Sequence, residues 1–203
     1  MKLKSLTPRL AALACGALLA ASAHANLVTN GGFEIGNFTG WTVTNAAGGS
    51  SDISVASNFP HAGSFYARFG ATGASFDTIS QTLATIAGAS YTVSYWLRTD
   101  VVLAAGTDDA FQFNWDGGAV EDSLVNLGDT PYTLHTATRV ASSTSTTISF
   151  AARNFPGFDR LDDVSVDFLS GPPPAVGVPE PGSLALVGLA GALACASRRR
   201  QTA

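Results

Sequence analysis

Nine short stretches of this chain alternate apolar and polar residues with a period of two, the spacing at which side chains on an extended strand return to the same face. They read GWTVT (40–44), SDISV (51–55), SFYARF (64–69), FDTISQTLAT (76–85), SYTVSYWLR (90–98), AFQFNW (110–115), YTLHTATRV (132–140), STTISFAAR (145–153) and RLDDVSVDF (160–168). Gly, Ser, Thr, Asn and Asp are abundant around them while Lys, Glu and Leu are scarce, a balance that disfavours helices and suits turns and strands. No longer repeat implies a solenoid. The pattern predicts an all-β domain, a jelly-roll-like β-sandwich.

Within two of these strands the faces can be assigned. Tyr91, Val93, Tyr95 and Leu97 form one apolar set and Phe111, Phe113 and Trp115 another. If these fill the core, Trp96, Arg98, Gln112 and Asn114 look outward. A flat aromatic beside planar amides and a guanidinium suits a sugar, whose C–H faces stack on rings while its hydroxyls need fixed partners. The plainer alternative is that a loop covers Trp96 and water solvates the polar groups. In the closing strand the same parity places Asp162 with Val164, Val166 and Phe168, on an apolar face. A carboxylate facing a core needs a partner or a metal. Calcium held by Asp162, Asp163 and backbone carbonyls would answer it. A position at the wet end of the strand, or pairing with Arg160 or Arg153, would answer it equally.

Both ends of the chain depart from alternation. Residues 1–25 open with Lys2, Lys4 and Arg9, run apolar from Leu10 to Ala21 and finish Ala23-His24-Ala25. This is the layout of a secretory signal peptide, cut between Ala25 and Asn26 by signal peptidase. At the other end GPPPAVGVPEP forms a proline-rich linker (171–181), which stays extended. Residues 182–203 then carry an apolar run of about fifteen residues, short for a bilayer crossing, and Arg198, Arg199 and Arg200. Such a short transmembrane helix with a basic end would keep its arginines cytoplasmic.

Setting the ends aside leaves residues 26–170, enough for one domain with a sizeable core. This part holds 14 acidic residues against five arginines, a net charge of −9. That sign opposes nucleic-acid binding and leaves room for a cation. Both cysteines, Cys15 and Cys195, lie in the apolar termini, so the folded part has neither a disulfide nor thiol chemistry.

The opening NLVTNGGFEIGNFTGWTV, the later HAGSFYARF and the closing FDRLDDVSVDF together resemble the galactose-binding-like β-sandwiches, including carbohydrate-binding modules. The resemblance spans nearly all of residues 26–169. It implies a structural calcium held by Glu34, by carbonyls near Gly63 and Ser64, and by Asp162 with Asp163 beside it. It does not locate a sugar site. The C-terminal Val178-Pro179-Glu180-Pro181, short apolar span and arginine cluster resemble the PEP-CTERM sorting tail. That resemblance implies recognition of the Pro-Glu-Pro by exosortase, a membrane protease, transient residence in the inner membrane, and delivery to the cell surface or beyond.

Catalysis is not expected. His61 and His135 are the only histidines outside the signal, no Gly-x-Ser-x-Gly elbow or His-Glu-x-x-His helix occurs, and no pair of carboxylates is placed to flank a glycosidic bond. Glu121 and Asp122 fit a solvated hairpin after the Asp-Gly-Gly turn. Two readings therefore lead: an exported module that binds exopolysaccharide or another glycan, and a biofilm or envelope scaffold with no specific ligand. A glycoside-acting enzyme is third.

Overall fold

The computed structural model describes residues 26–100, 109–117 and 120–172. The predicted signal peptide and the predicted C-terminal transmembrane helix lie outside them, and among the described residues no helix is long and apolar enough to cross a membrane.

Ten strands follow in order: β1 (Thr42–Thr44), β2 (Ile53–Ala56), β3 (Tyr66–Phe69), β4 (Asp77–Ala84), β5 (Ser90–Asp100), β6 (Ala110–Trp115), β7 (Val120–Val125), β8 (Thr130–Val140), β9 (Ser145–Arg153) and β10 (Phe158–Ser170). They form two five-stranded antiparallel sheets. One runs β1-β4-β9-β6-β7 and the other β2-β3-β10-β5-β8. The nine alternating stretches all become strands. The tenth, β7, is the return arm of the hairpin after the Asp-Gly-Gly turn, and its polar sequence VEDSLV hid it from the apolar pattern.

The predicted apolar sets fill the space between the sheets. Tyr91, Val93, Tyr95 and Leu97 are buried from one sheet, and Phe111, Phe113 and Trp115 from the other. Phe150 on β9 ties them together. Its ring centroid lies 5.1 Å from Tyr95, 5.3 Å from Phe113, and 6.1 Å from both Phe111 and Trp41. These separations are those of favourable offset and edge-on aromatic pairs.

The parity expected of β10 is corrected by the structure. Leu161 pairs with Leu97 and Asp162 with Trp96, but the next pair is Ser165 with Ser94, so Asp163 and Val164 together oppose the single residue Tyr95. This is a β-bulge. Asp163 accommodates the extra residue in the left-handed region (φ 49°), which Asp tolerates better than most residues. The amide freed from the ladder, that of Val164, donates to the Gly31 carbonyl at 3.0 Å. Past the bulge Val164 and Val166 face the core, while Asp162 before it lies on the outer face beside Trp96. Asp162 is nevertheless fully buried, because the segment around His61 covers it.

Candidate functional site

Three acids and one turn meet on this covered part of the outer face. The Asp162 carboxylate accepts the amides of His61 (2.8 Å) and Ala62 (3.3 Å) on one oxygen and that of Asp163 (2.8 Å) on the other. The His61 ring nitrogen Nδ1 lies 2.6 Å from the Asp163 carboxylate. Two residues on, the Glu34 carboxylate accepts the amides of Ser64 (2.9 and 3.0 Å) and Phe65 (2.9 Å). Gly63 makes this approach possible. Its φ is +62°, and a Cβ there would lie 2.4 Å from Glu34 Oε1. Burial pushes the Asp162 carboxyl up to about 6, opposed by the amides of His61 and Asp163.

Glu34, Gly63, Ser64, Asp162 and Asp163, the residues of the calcium expectation, thus lie around one turn. A point beside Gly32 is 3.4 Å from Asp163 Oδ1, 3.7 Å from Glu34 Cγ and 3.9 Å from Asp162 Oδ1. The donors are hard oxygens, the right kind for calcium. They are engaged differently from that expectation, however. Residues 61–65 offer amide N–H groups to the carboxylates, and among the described residues no group of three or more His, Cys, Asp or Glu side chains is arranged to hold a metal. Asp162 Oδ1, Glu34 Oε2 and Asp163 Oδ2 each have a single partner and keep a lone pair for a cation, whereas Asp162 Oδ2 and Glu34 Oε1 already take two amides each.

The four residues expected to form a sugar site do not come together. Trp96 and Arg98 belong to β5, and Gln112 and Asn114 to β6, which lies in the other sheet. Each pair faces outward as predicted, but on opposite sides of the sandwich. Alternation fixes the face of a strand and leaves open which sheet the strand joins. Trp96 is half-buried, and His61 stacks on it with centroids 3.9 Å apart and planes 17° from parallel. Tyr132 meets the same imidazole edge-on at 5.2 Å. Arg98 donates to Asp100 at 2.8 Å and its guanidinium sits 5.6 Å from the centre of the Phe59 ring, which is 48% exposed. Arg160 lies over the same ring at 4.6 Å. A loop therefore covers Trp96, as in the plainer of the two readings.

The outer face carrying Gln112 and Asn114 is of another kind. Across four strands the register aligns Thr42, Ser80, Ser149 and Asn114 in one row and Thr44, Thr78, Ala151 and Gln112 in the next. A third row begins with Thr82 and Thr147, whose hydroxyls are 2.9 Å apart. Three inter-strand steps make each full row about 14 Å long. The rows hold neutral hydroxyls and amides and no aromatic ring. No single strand reveals them, because each contributes one residue to a row.

Comparison with known proteins bears on both ends of this description. Residues 177–201 match the PEP-CTERM protein-sorting motif. No curated protein matches the sequence. Among solved structures, the chain is similar to the module TmCBM61 in complex with β-1,4-galactotriose, at 20% identity and a TM-score of 0.54, covering 71% of this chain and 99% of that one. It is similar also to the CBM22-1 xylan-binding domain of Paenibacillus barcinonensis Xyn10C, at 16% identity and a TM-score of 0.54, covering 75% and 100%. The described domain has the fold of these carbohydrate-binding modules, and a sorting motif follows it.

Proposed function

We propose that this is an exported protein, sorted by an exosortase to the cell surface or extracellular matrix, whose β-sandwich binds a glycan without acting on it. The observation that carries the reading is the joining of a PEP-CTERM motif to a single domain with the fold of carbohydrate-binding modules. Signal peptidase at Ala25–Asn26, exosortase near Pro179-Glu180-Pro181, and a transient stay in the inner membrane belong to the same proposal. Mass spectrometry of the protein recovered from cells and medium tests it through the two cut ends. Intact chains in the cytoplasm would refute it.

For the glycan, the Thr, Ser, Gln and Asn rows, exposed at Thr42, Thr44 and Thr82 and half-buried elsewhere, are the favoured platform. Neutral hydroxyls and amides both donate and accept, so they can meet the hydroxyls of an uncharged sugar without the desolvation cost of charged groups. Trp96, with His61 on one face of its ring, is the second choice. In pull-downs on insoluble polysaccharides, Asn114→Ala combined with Gln112→Ala is expected to weaken retention about tenfold or more, and Trp96→Ala to change it little. Loss with Trp96→Ala alone would move the site to the other sheet. The covered Trp96 favours the alternative of a ligand-free matrix scaffold, which wins if wild type is retained on no polysaccharide.

Calcium at Glu34 and Asp162 is a further part of the proposal, supported by the hard-oxygen donors of Glu34, Asp162 and Asp163 around the same 61–65 turn. Calcium is expected to raise the melting temperature of chelator-treated wild type and to do so less in Glu34→Gln. An unchanged midpoint in wild type would dispose of the ion.

A further inference from the structure

On the other face of β10, three residues before Asp162 and about 10 Å along the strand, lies a second acidic group with a different hydrogen-bonding state. Asp159 is 0% exposed, Asp109 2% and Asn154 1%. Asp159 and its register partner Thr99 come from one sheet. Asp109 enters β6 and Asn154 leaves β9, neighbours in the other sheet, so the group sits between the sheets at the rim. Thr99 donates to Asp159 Oδ1 at 2.9 Å, and the Asn154 amide donates to the same oxygen and to the Asp100 carbonyl, both at 3.3 Å. The Leu127 amide donates to Asp109 Oδ2 at 2.8 Å.

The other oxygen of each side chain has nothing. Asp159 Oδ2, Asp109 Oδ1 and Asn154 Oδ1 are buried without a hydrogen-bond partner. Orientation of the Asn154 amide is not arbitrary, since turning it over would aim its oxygen at two acceptors and lose both bonds. Arg98 and Arg160 pair with Asp100, and Arg68 with Asp52, so the ion pairs of the described residues bring no cation to Asp109 or Asp159. The contrast with Asp77 is instructive. It is also fully buried, yet takes the amides of Ala46 and Asp52 and the hydroxyl of Ser51 on its two oxygens. Burial, and next the charge of Asp109, push the Asp159 carboxyl well above the usual range, and burial raises Asp109 too. Both directions are those expected of carboxyls buried without a compensating charge.

We propose that Asp109, Asp159 and Asn154 hold a divalent cation of the calcium class between the two sheets. The orphaned donors are all hard oxygens, and two carboxylates match a double positive charge. The absence of a Cβ at Gly157 lets the Asp100 carbonyl oxygen, which accepts the Asn154 amide, approach this group: a Cβ there would be 1.7 Å from that oxygen and 2.9 Å from Asn154 Oδ1. The ion cross-links strands of opposite sheets, and it is separate from any calcium at Glu34.

The test is calcium titration of chelator-stripped, full-length protein by calorimetry, with thermal melting in parallel. Wild type is expected to bind calcium and melt higher with it. Asp109→Asn and Asp159→Asn are expected to weaken that binding event at least about tenfold, whereas Glu34→Gln leaves it in place. Asp159→Asn also keeps the Thr99 hydrogen bond while removing a buried charge, so without calcium it is expected to melt at or above stripped wild type. A structural carboxylate would not behave so. If the binding event that remains in Glu34→Gln persists undiminished in both Asp109→Asn and Asp159→Asn, the proposal is overturned, as it is by absence of any calcium effect on wild type.

Discussion

Phe150→Ala is expected to destabilise the domain by about 3–5 kcal/mol, enough to unfold a large share of a typical single domain. The ring is fully buried and contributes one side of four aromatic contacts, with Trp41, Tyr95, Phe111 and Phe113. Removing it leaves a cavity at the junction of both sheets, and β9 cannot move to fill that space because it is held between β4 and β6. Urea denaturation followed by tryptophan fluorescence measures the effect. Phe150→Leu, which refills most of the volume, should recover more than half of it. A loss under about 1 kcal/mol in the alanine variant would mean the packing described here is wrong.

Gly63→Ala is expected to cost about 3 kcal/mol, from two sources. An alanine at φ +62° bears the left-handed penalty of about 1–2 kcal/mol. Its Cβ would also push the Glu34 carboxylate away from the Ser64 and Phe65 amides, and because Glu34 is exposed and water replaces part of those bonds, the loss is about 1 to 1.5 kcal/mol. Gly73→Ala separates the two. That glycine has φ +83° with nothing within 4 Å of the Cβ position, so it should suffer the backbone penalty alone. Equal losses at the two positions would show that Glu34 contributes nothing at this turn.

Much of the fold was legible because alternation reports burial directly. Every member of the Tyr91–Leu97 and Phe111–Trp115 sets is in the core. What alternation cannot report is which strands are neighbours, and so Trp96 and Gln112, similar in local pattern, belong to opposite sides of the molecule. It also fails wherever one residue is inserted out of step. The paired acids Asp162-Asp163 in the middle of a strand were the only local hint of that insertion. Of the site residues, the Glu34, Ser64 and Asp162 grouping came from resemblance, and their engagement by amides could not be foreseen from residue types. Asp109, Asn154 and Asp159 carried no signal at all. Each sits at a strand end where Asp and Asn are ordinary turn residues, and only the packing of two sheets reveals that their oxygens are sealed from water.

The extra residue at Asp163 gives β10 two reading frames. Upstream, odd-numbered side chains point inward; downstream, even-numbered ones do. Excising Asp163 would straighten the strand with Leu161, Val164 and Val166 all still facing inward, whereas keeping every residue without the kink would send one of the two apolar sets to the solvent side. A one-residue insertion or deletion elsewhere in the strand, by contrast, would leave one apolar set pointing away from the core.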